Sequence, residues 1–411
     1  MRIVLTGAGT GGHMIPFEPL VEMLRRVHLE TKDNLPVWIE RNKLDLYFLG
    51  VMDSQSKEFC ERLGLKTTNI LAGKLRRYLA MQTVTDVLWR MPVGIIMAMW
   101  HMWRIMPDVV ISKGGYGSVP VGLAAFIFRV PLLLHESDAV MGLANKLMAN
   151  WAQVITVGFA ATRHGMGYHK RKTIVTGTPV RQGLARENSS GAKRLFGFGE
   201  NEPVVLIMGG SQGAEKVNEL TLQILPELIK KAGIIHLAGV NNLATVKSGA
   251  DRIIQSAGRQ HAYKLFGTLT DHMGAALMAA DLVVSRAGAT SLAELARLRK
   301  PAIIIPLALA AQDHQRANAQ LMEVAEAVRV ISQENLGRNI LLQNIYNLLN
   351  DQEIREVLKQ NIARFDYPNA AREIAQLTFK LARGMVPFQS IQQDEKDINA
   401  GKISSAEHEN R

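Results

Sequence analysis

The chain has 411 residues, 47% hydrophobic and 21% charged, which is enough for two domains of ordinary size with ample cores. The net charge of +11 bears on partners rather than fold, and without a zinc finger, basic-region helix or RNP-type strand it favours an anionic membrane face or a phosphorylated substrate over nucleic acid. Cys60 is the single cysteine, which excludes an intrachain disulfide and fits a reducing compartment, and the N-terminus shows no signal-peptide h-region.

The apolar run Ile3-Val4-Leu5 leads into Thr6-Gly7-Ala8-Gly9-Thr10-Gly11-Gly12-His13. Such a turn lets backbone N–H groups approach an oxyanion without Cβ interference, and the helix start behind it adds positive potential. Gly7-x-Gly9-x-x-Gly12 fits the dinucleotide fingerprint, but that fingerprint has no need of the imidazole at its mouth. An imidazole is the side chain suited to proton transfer near neutral pH, which makes His13 the candidate general base. A helix follows to Val27, starting near Pro19 because proline is tolerated only in a first turn. Residues 29–43 predict a loop, 44–49 a strand, 56–63 a helix and 67–70 a second extended segment. This alternation predicts a parallel sheet with right-handed crossovers.

Between Leu71 and Met106, Lys74, Arg76, Arg77, Arg90 and Arg104 surround Tyr78, Trp89, Trp100 and Trp103. The uncharged run 91–103 is shorter than the roughly 18 to 20 residues a bilayer span needs. Val93 to Met99 predicts a crossover helix packed on the sheet. Leu71, Lys74, Leu75, Arg76, Arg77 and Leu79 predict contact with an anionic membrane surface.

Residues 109–112 predict a strand, and Lys113-Gly114-Gly115-Tyr116-Gly117-Ser118 a second glycine turn before a helix over 119–128. The strand 131–134 ends in His135-Glu136-Ser137-Asp138, polar groups lying where open α/β sheets bind ligands; N-capping by Ser137 or Asp138 is the alternative. Two weaker strands, 154–156 and 173–176, precede Gly177-Thr178-Pro179-Val180-Arg181 and a domain boundary. The pattern then restarts, with strands at 204–208, 234–238, 263–266, 282–285, 302–306 and 328–331. Helices are expected over 335–363 and 369–382, then a tail without apolar period.

The turns at 7–12, 209–214 and 286–291 suit a pyrophosphate-bearing ligand in a cleft between two Rossmann-like halves. Glu294 can accept two hydrogen bonds from a ribose diol, or be an acid stabilised by the helix dipole. Gln315 and Asn318, three apart, share a helix face and offer amides to sugar hydroxyls or to caps. HExxH, CxxC and Asp-x-Asp spacings do not occur in the sequence, so metal chemistry lacks support; Gly209-Gly210-Ser211-Gln212-Gly213 fits the Gly-x-Ser-x-Gly string but is read here as a phosphate turn, so acyl transfer is not favoured.

Gly-Thr-Gly-Gly-His (9–13), Lys-Gly-Gly-Tyr (113–116), His-Glu-Ser-Asp…Gly-Leu-Ala-Asn-Lys (135–146), Gly-Thr-Pro-Val-Arg (177–181), Gly-Gly-Ser-Gln-Gly-Ala (209–214), Ser-Arg-Ala-Gly-Ala-Thr-Ser-Leu-Ala-Glu (285–294) and Asp-His-Gln-x-x-Asn-Ala (313–319) occur in this order. Over about residues 1 to 383 the chain resembles the peptidoglycan glycosyltransferases of family 28, which add N-acetylglucosamine to lipid I and make lipid II.

The resemblance implies an α/β GT-B fold, two Rossmann-like parallel-sheet domains facing each other across a cleft. Residues 1–180, with a crossing helix at 367–383, would form the acceptor- and membrane-binding domain. Residues 181–366 would bind UDP-N-acetylglucosamine, and 384–411 would be a flexible tail. Ser211 and Arg181 would contact the nucleotide diphosphate region. Thr270 with Ala289, Thr290, Ser291, Leu292 and Ala293 would frame uridine, and Glu294 would hold the ribose. Gln315 would read the sugar hydroxyls, and Thr10, Gly11 and Gly12 would line the site beside them. His13 would take the proton from the C4 hydroxyl of N-acetylmuramic acid in an inverting displacement. Asp138 stands where an asparagine often contacts the donor sugar, and a carboxylate there can accept but not donate.

No cofactor is implied. The partners implied are UDP-N-acetylglucosamine, lipid I and the anionic inner leaflet, so the protein is expected as a peripheral one on the cytoplasmic face of the plasma membrane. Nucleic acid is not expected, and partners among cell-wall synthesis or division proteins are left open. The alternatives are a GT-B transferase for another lipid acceptor, a nucleotide-sugar epimerase of the same fold, a non-catalytic UDP-sugar-binding module and, last, a dinucleotide oxidoreductase. The last lacks an acidic residue closing the second strand.

Overall fold

The computed structural model describes residues 1–7, 14–32, 43–73, 86–209, 214–269, 272–307 and 313–385. They divide into two compact units. Unit 1 holds Met1–Glu136, Met141–Thr176 and the chain from Asn369; unit 2 holds Gly177–Pro368 together with Ser137–Val140. The chain thus changes unit after Thr176, a few residues ahead of the sequence expectation, and lends four residues to unit 2 earlier, which no sequence pattern announces.

Unit 1 is built on a seven-stranded sheet of β1 (Arg2–Thr6), β2 (Asp45–Gly50), β3 (Lys66–Asn69), β4 (Val109–Ser112), β5 (Leu132–Glu136), β6 (Val154–Val157) and β7 (Thr173–Val175). Its order is β3-β2-β1-β4-β5-β6-β7, and every pairing is parallel. Helices α1 (Phe17–Lys32), α2 (Ser54–Arg62), α3 (Met91–Ile105), α4 (Val119–Ile127), α5 (Leu143–Met148) and α6 (Ala160–His164) connect the strands. Both faces of the sheet are covered, as a parallel sheet requires. Ile3 and Leu5 on β1 pack with α1 residues such as Phe17 and Leu24, whereas Val4 between them joins Ala98, Met102 and Val121 on the other face.

Unit 2 repeats the plan with β8 (Val204–Met208), β9 (Gly233–Leu237), β10 (Tyr263–Phe266), β11 (Leu282–Ser285), β12 (Ala302–Ile304) and β13 (Arg329–Val330), ordered β10-β9-β8-β11-β12-β13 and again parallel. Its helices are α7 (Ser189–Leu195), α8 (Glu215–Leu228), α9 (Leu243–Ala257), α10 (Met273–Ala279), α11 (Ala289–Arg297), α12 (His314–Val324), α13 (Arg338–Asn350) and α14 (Gln352–Ile362). The final helix α15 (Ala370–Ala382) belongs to unit 1, where Ile374, Ala375 and Phe379 enter the α1 core. The Phe379 ring stacks on His28 at 6.1 Å, and Arg372 donates to both Glu30 oxygens at 2.9 and 3.0 Å.

Four elements differ from expectation. Helix α1 starts at Phe17, with Pro19 in its first turn, and runs on to Lys32. Residues 29–32 of the expected loop are the outer end of that amphipathic helix, where Glu30 meets Arg372; residues 33–42 lie outside the described residues. The expected helix 335–363 is two, because the Asp351 side chain accepts from Ile354 N–H and starts α14 afresh. On α3 the packed stripe is Gly94, Ala98 and Met102, not the whole of 93–99. Gly94 lies so close to the Leu71 carbonyl that a Cβ there would overlap it. The opposite face leaves Ile96, Trp100 and Trp103 exposed by 67%, 57% and 59%.

Candidate active site

In an open parallel sheet, ligands meet the carboxyl ends of strands where the strand order reverses. In unit 2 this point lies between β8 and β11, where Met208 pairs with Ser285. The turn beginning at Gly209 and the turn Arg286-Ala287-Gly288 leave from it. Gly288 starts α11 with extended backbone and no side-chain cap. The first-turn N–H groups at the positive end of that helix are therefore left for an acceptor.

Glu294, a turn further along α11, is only 3% exposed. Its Oε1 accepts from Arg181 Nε at 2.9 Å and from Arg181 Nη2 at 2.8 Å. Arg181 is delivered by the turn at Gly177, whose φ of +75° and position against Tyr367 exclude a Cβ. The two residues assigned by resemblance to ribose and diphosphate thus meet each other directly. Around them, Ala289, Thr290 and Leu292 are buried. Leu292 has its side chain in the core, so only its backbone is left to meet a ligand; Ser291 and Ala293 are half-buried.

Gln315 lies in the first turn of α12, and its Oε1 accepts from Leu307 N–H at 3.0 Å. This bond turns the amide so that its NH2 group is the end left to donate. Asn318, expected to join Gln315 at the sugar, is instead fully buried and consumed internally. Its Nδ2 donates to Asp138 Oδ1 at 2.8 Å and to Ala287 O at 3.0 Å, and its Oδ1 accepts from Ala139 N–H at 2.7 Å. Asp138 therefore faces an asparagine of its own unit.

In unit 1 the strand order reverses between β1 and β4, where Thr6 pairs with Ser112, so the turns after Gly7 and Lys113 leave from that point. Gly114 and Gly115 both have left-handed φ, +85° and +84°, and a Cβ on Gly114 would strike the Asn145 amide. At the carboxyl end of β5, His135 and Glu136 are internal ties. His135 Nδ1 lies 2.9 Å from Thr156 Oγ1, and burial, with nearby Lys113, holds its pKa well below the usual value. Glu136 Oε2 accepts from Gly142 N–H at 3.0 Å and Asn145 Nδ2 at 2.8 Å.

Thr10, Gly11, Gly12, His13, Ser211, Thr270, Lys74, Leu75, Arg76, Arg77 and Leu79 lie outside the described residues; Leu71 is described and exposed. Sequence reasoning passed over Arg286. This buried guanidinium donates from Nη1 to Ile305 O at 3.1 Å, and burial lowers its pKa. The signal available was an arginine inside an otherwise small-residue turn.

Residues 3–157 match the glycosyltransferase family 28 N-terminal domain, and residues 204–376 match its C-terminal domain. The chain belongs to glycosyltransferase family 28. Similar family 28 members include a UDP-N-acetylglucosamine--N-acetylmuramyl-(pentapeptide) pyrophosphoryl-undecaprenol N-acetylglucosamine transferase 2 of Bacillus cereus, 33% identical over 91% of this chain and 98% of that relative. The transferase of the same name, without the numeral, from Lachnoclostridium phytofermentans is 36% identical over 86% of this chain and 92% of its own. Among solved structures, Acinetobacter baumannii MurG shares the fold with a TM-score of 0.67 at 23% identity, covering 92% of this chain and 99% of that one. The UDP-GlcNAc 2-epimerase of Neisseria meningitidis bound to UDP-GlcNAc shares it at 0.63 and 15% identity, covering 92% and 100%.

Proposed function

We propose that this family 28 glycosyltransferase moves N-acetylglucosamine from UDP-N-acetylglucosamine to the C4 hydroxyl of the N-acetylmuramoyl-pentapeptide in lipid I, forming lipid II with inversion. The observation that carries this reading is the end-to-end match to transferases named for that donor and acceptor, 33% identical across 98% of one relative's length. The donor elements lie in unit 2. The α11 N-terminus, Arg181 and Ser211 take the diphosphate, Glu294 the ribose diol, and Ala289 to Ala293 with Thr270 the uracil side. Gln315 presents its NH2 group to the sugar.

By the resemblance to family 28, Thr10 to Gly12 are assigned to the sugar and the acceptor, and His13 to the acceptor hydroxyl. As the C4 oxygen attacks the anomeric carbon, its proton passes to the His13 imidazole, and the bond from that carbon to the diphosphate oxygen breaks with its electron pair going to UDP. Preorganised N–H groups and the arginine stabilise the charge growing on UDP. The step involves no metal or other cofactor.

A polyprenyl acceptor calls for a membrane surface, and no described helix is long and apolar enough to cross one. We place the peripheral contact on the exposed indole face of α3, flanked by the exposed Arg90 and Arg104, together with the segment 71–79. Transfer of radiolabelled N-acetylglucosamine to a lipid I analogue tests the reaction. Epimerised UDP-sugar formed without any acceptor, and no labelled lipid, would replace it with the epimerase reading.

A further inference from the structure

Three bonds fasten α12 to the segment Ser137–Val140 within unit 2. Asn318 Nδ2 donates to Asp138 Oδ1, Ala139 N–H donates to Asn318 Oδ1, and His314 Nδ1–H donates to Val140 O at 2.9 Å. Asn318 adds a fourth bond, to Ala287 O in the turn that leads into α11. One fully buried amide therefore ties three pieces together: the helix bearing Gln315, the turn before the uncapped α11 N-terminus, and the segment on which Asp138 stands.

The start of α12 needs such a tie. Its N-cap, Asp313, has φ +59° and makes no side-chain cap bond; aspartate tolerates this left-handed conformation better than most residues, but without the cap the helix start draws no support from it. Gln315 follows two residues later, in the first helical turn, so its position depends on what clamps that turn rather than on helix propensity. The clamps are the His314 bond to Val140, the Asn318 amide one turn deeper, and the Gln315 bond to Leu307.

We propose that Asn318, with Asp138 as its acceptor, is a positioning residue for donor-sugar recognition. It fixes Gln315 relative to the α11 turn, and Asp138 serves the sugar through Asn318 instead of touching it. This rests on the reading of unit 2 as the UDP-N-acetylglucosamine site with Gln315 at the sugar. Asn318 bonds to Asp138, Ala139 and Ala287 but to neither Arg181 nor Glu294, so its loss should affect the sugar end more than the ribose end.

The test measures, in the full chain, KM for UDP-N-acetylglucosamine, kcat and the inhibition constant of UDP for Asn318→Asp, Asp138→Ala, Asp138→Asn and Gln315→Ala. Asn318→Asp keeps the volume and the Ala139 acceptor but sets a carboxylate against Asp138, and is expected to raise KM about tenfold while the UDP constant stays within about twofold. Asp138→Ala, at a half-buried site, should shift KM the same way. Asp138→Asn should restore it, because an amide oxygen still accepts from Asn318. If Gln315→Ala raises KM while Asn318→Asp and Asp138→Ala do not, the positioning role is overturned and the donor-site reading stands. If Gln315→Ala leaves KM unchanged, the placement of Gln315 at the sugar falls and the inference with it. Equal losses of UDP and UDP-sugar affinity, with a lowered Tm, would mark Asn318 as a fold-stabilising residue only and also overturn the proposal.

Discussion

Arg181 and Glu294 form a two-pronged ion pair, with Nε and Nη2 of the arginine at 2.9 and 2.8 Å from the same carboxylate oxygen. Their side chains are 17% and 4% exposed, so the pair is well shielded from screening by solvent. A pair of this kind contributes little when both partners are replaced together, yet removing one leaves a desolvated charge, at a cost of about 3 kcal/mol. Glu294→Ala and Arg181→Ala should each weaken UDP binding about tenfold or more and lower Tm. The double variant should lose less stability than the sum of the two. Calorimetric titration with UDP and thermal melts read this directly; strictly additive losses would mean the contact is energetically silent.

The base is a separate matter from binding. General-base catalysis by a positioned imidazole contributes roughly 10²–10⁴-fold, so His13→Ala should lower kcat by that order while donor KM moves little. A variant that turns over at the parental rate would remove His13 from the proton transfer.

The parallel-sheet plan was legible because β-strands buried on both faces read as short apolar runs, Val109–Ser112 and Val204–Met208 among them, each followed by a glycine turn. Glu294 stood out because it is an acid inside the apolar start of a helix. The partners of these residues were not legible. Nothing in the order of the chain says that Arg181 will meet a carboxylate 113 positions later, or that Asn318 will bond to Asp138 180 positions earlier. The amides of Gln315 and Asn318 looked equivalent on one helix face; burial distinguishes them, and burial depends on the crossing of Ser137–Val140 into unit 2. The width of the packed face of α3 was not legible either: an apolar helix on a sheet needs only a narrow stripe for packing, here centred on Gly94, Ala98 and Met102.

Acid should loosen this chain through buried neutral histidines. His236 is fully buried, with Nδ1 2.8 Å from Tyr263 Oη and Nε2 3.0 Å from Asn218 Oδ1, and burial lowers its pKa from 6.5 to about 4. Its folded-state pKa lies below the unfolded value, so its contribution is complete above about pH 6.5 and is lost as pH falls toward 4, amounting to about 3 kcal/mol over that window. His135, shifted in the same direction by burial and Lys113, adds a loss of the same sign below pH 6.5. Urea unfolding of the parent between pH 7.5 and pH 4 should show this fall, and His236→Gln should flatten it. A variant with the parental pH slope would assign the acid sensitivity to other groups.

The proposed membrane attachment divides between two surfaces. On α3, the Trp100 and Trp103 rings lie 5.4 Å apart on the face opposite the packed stripe of Gly94, Ala98 and Met102. Indole rings partition to the lipid interface, and flanking arginines add attraction that depends on anionic lipid and falls with salt. Replacing both tryptophans by serine should abolish cosedimentation with vesicles even at low salt. Lys74→Glu, Arg76→Glu and Arg77→Glu together should instead reduce it only where the vesicles are anionic. Transfer to a soluble, short-chain lipid I analogue should survive both sets, because neither touches the donor elements. If the tryptophan variant still sediments with vesicles, the hydrophobic part of the contact lies elsewhere on unit 1.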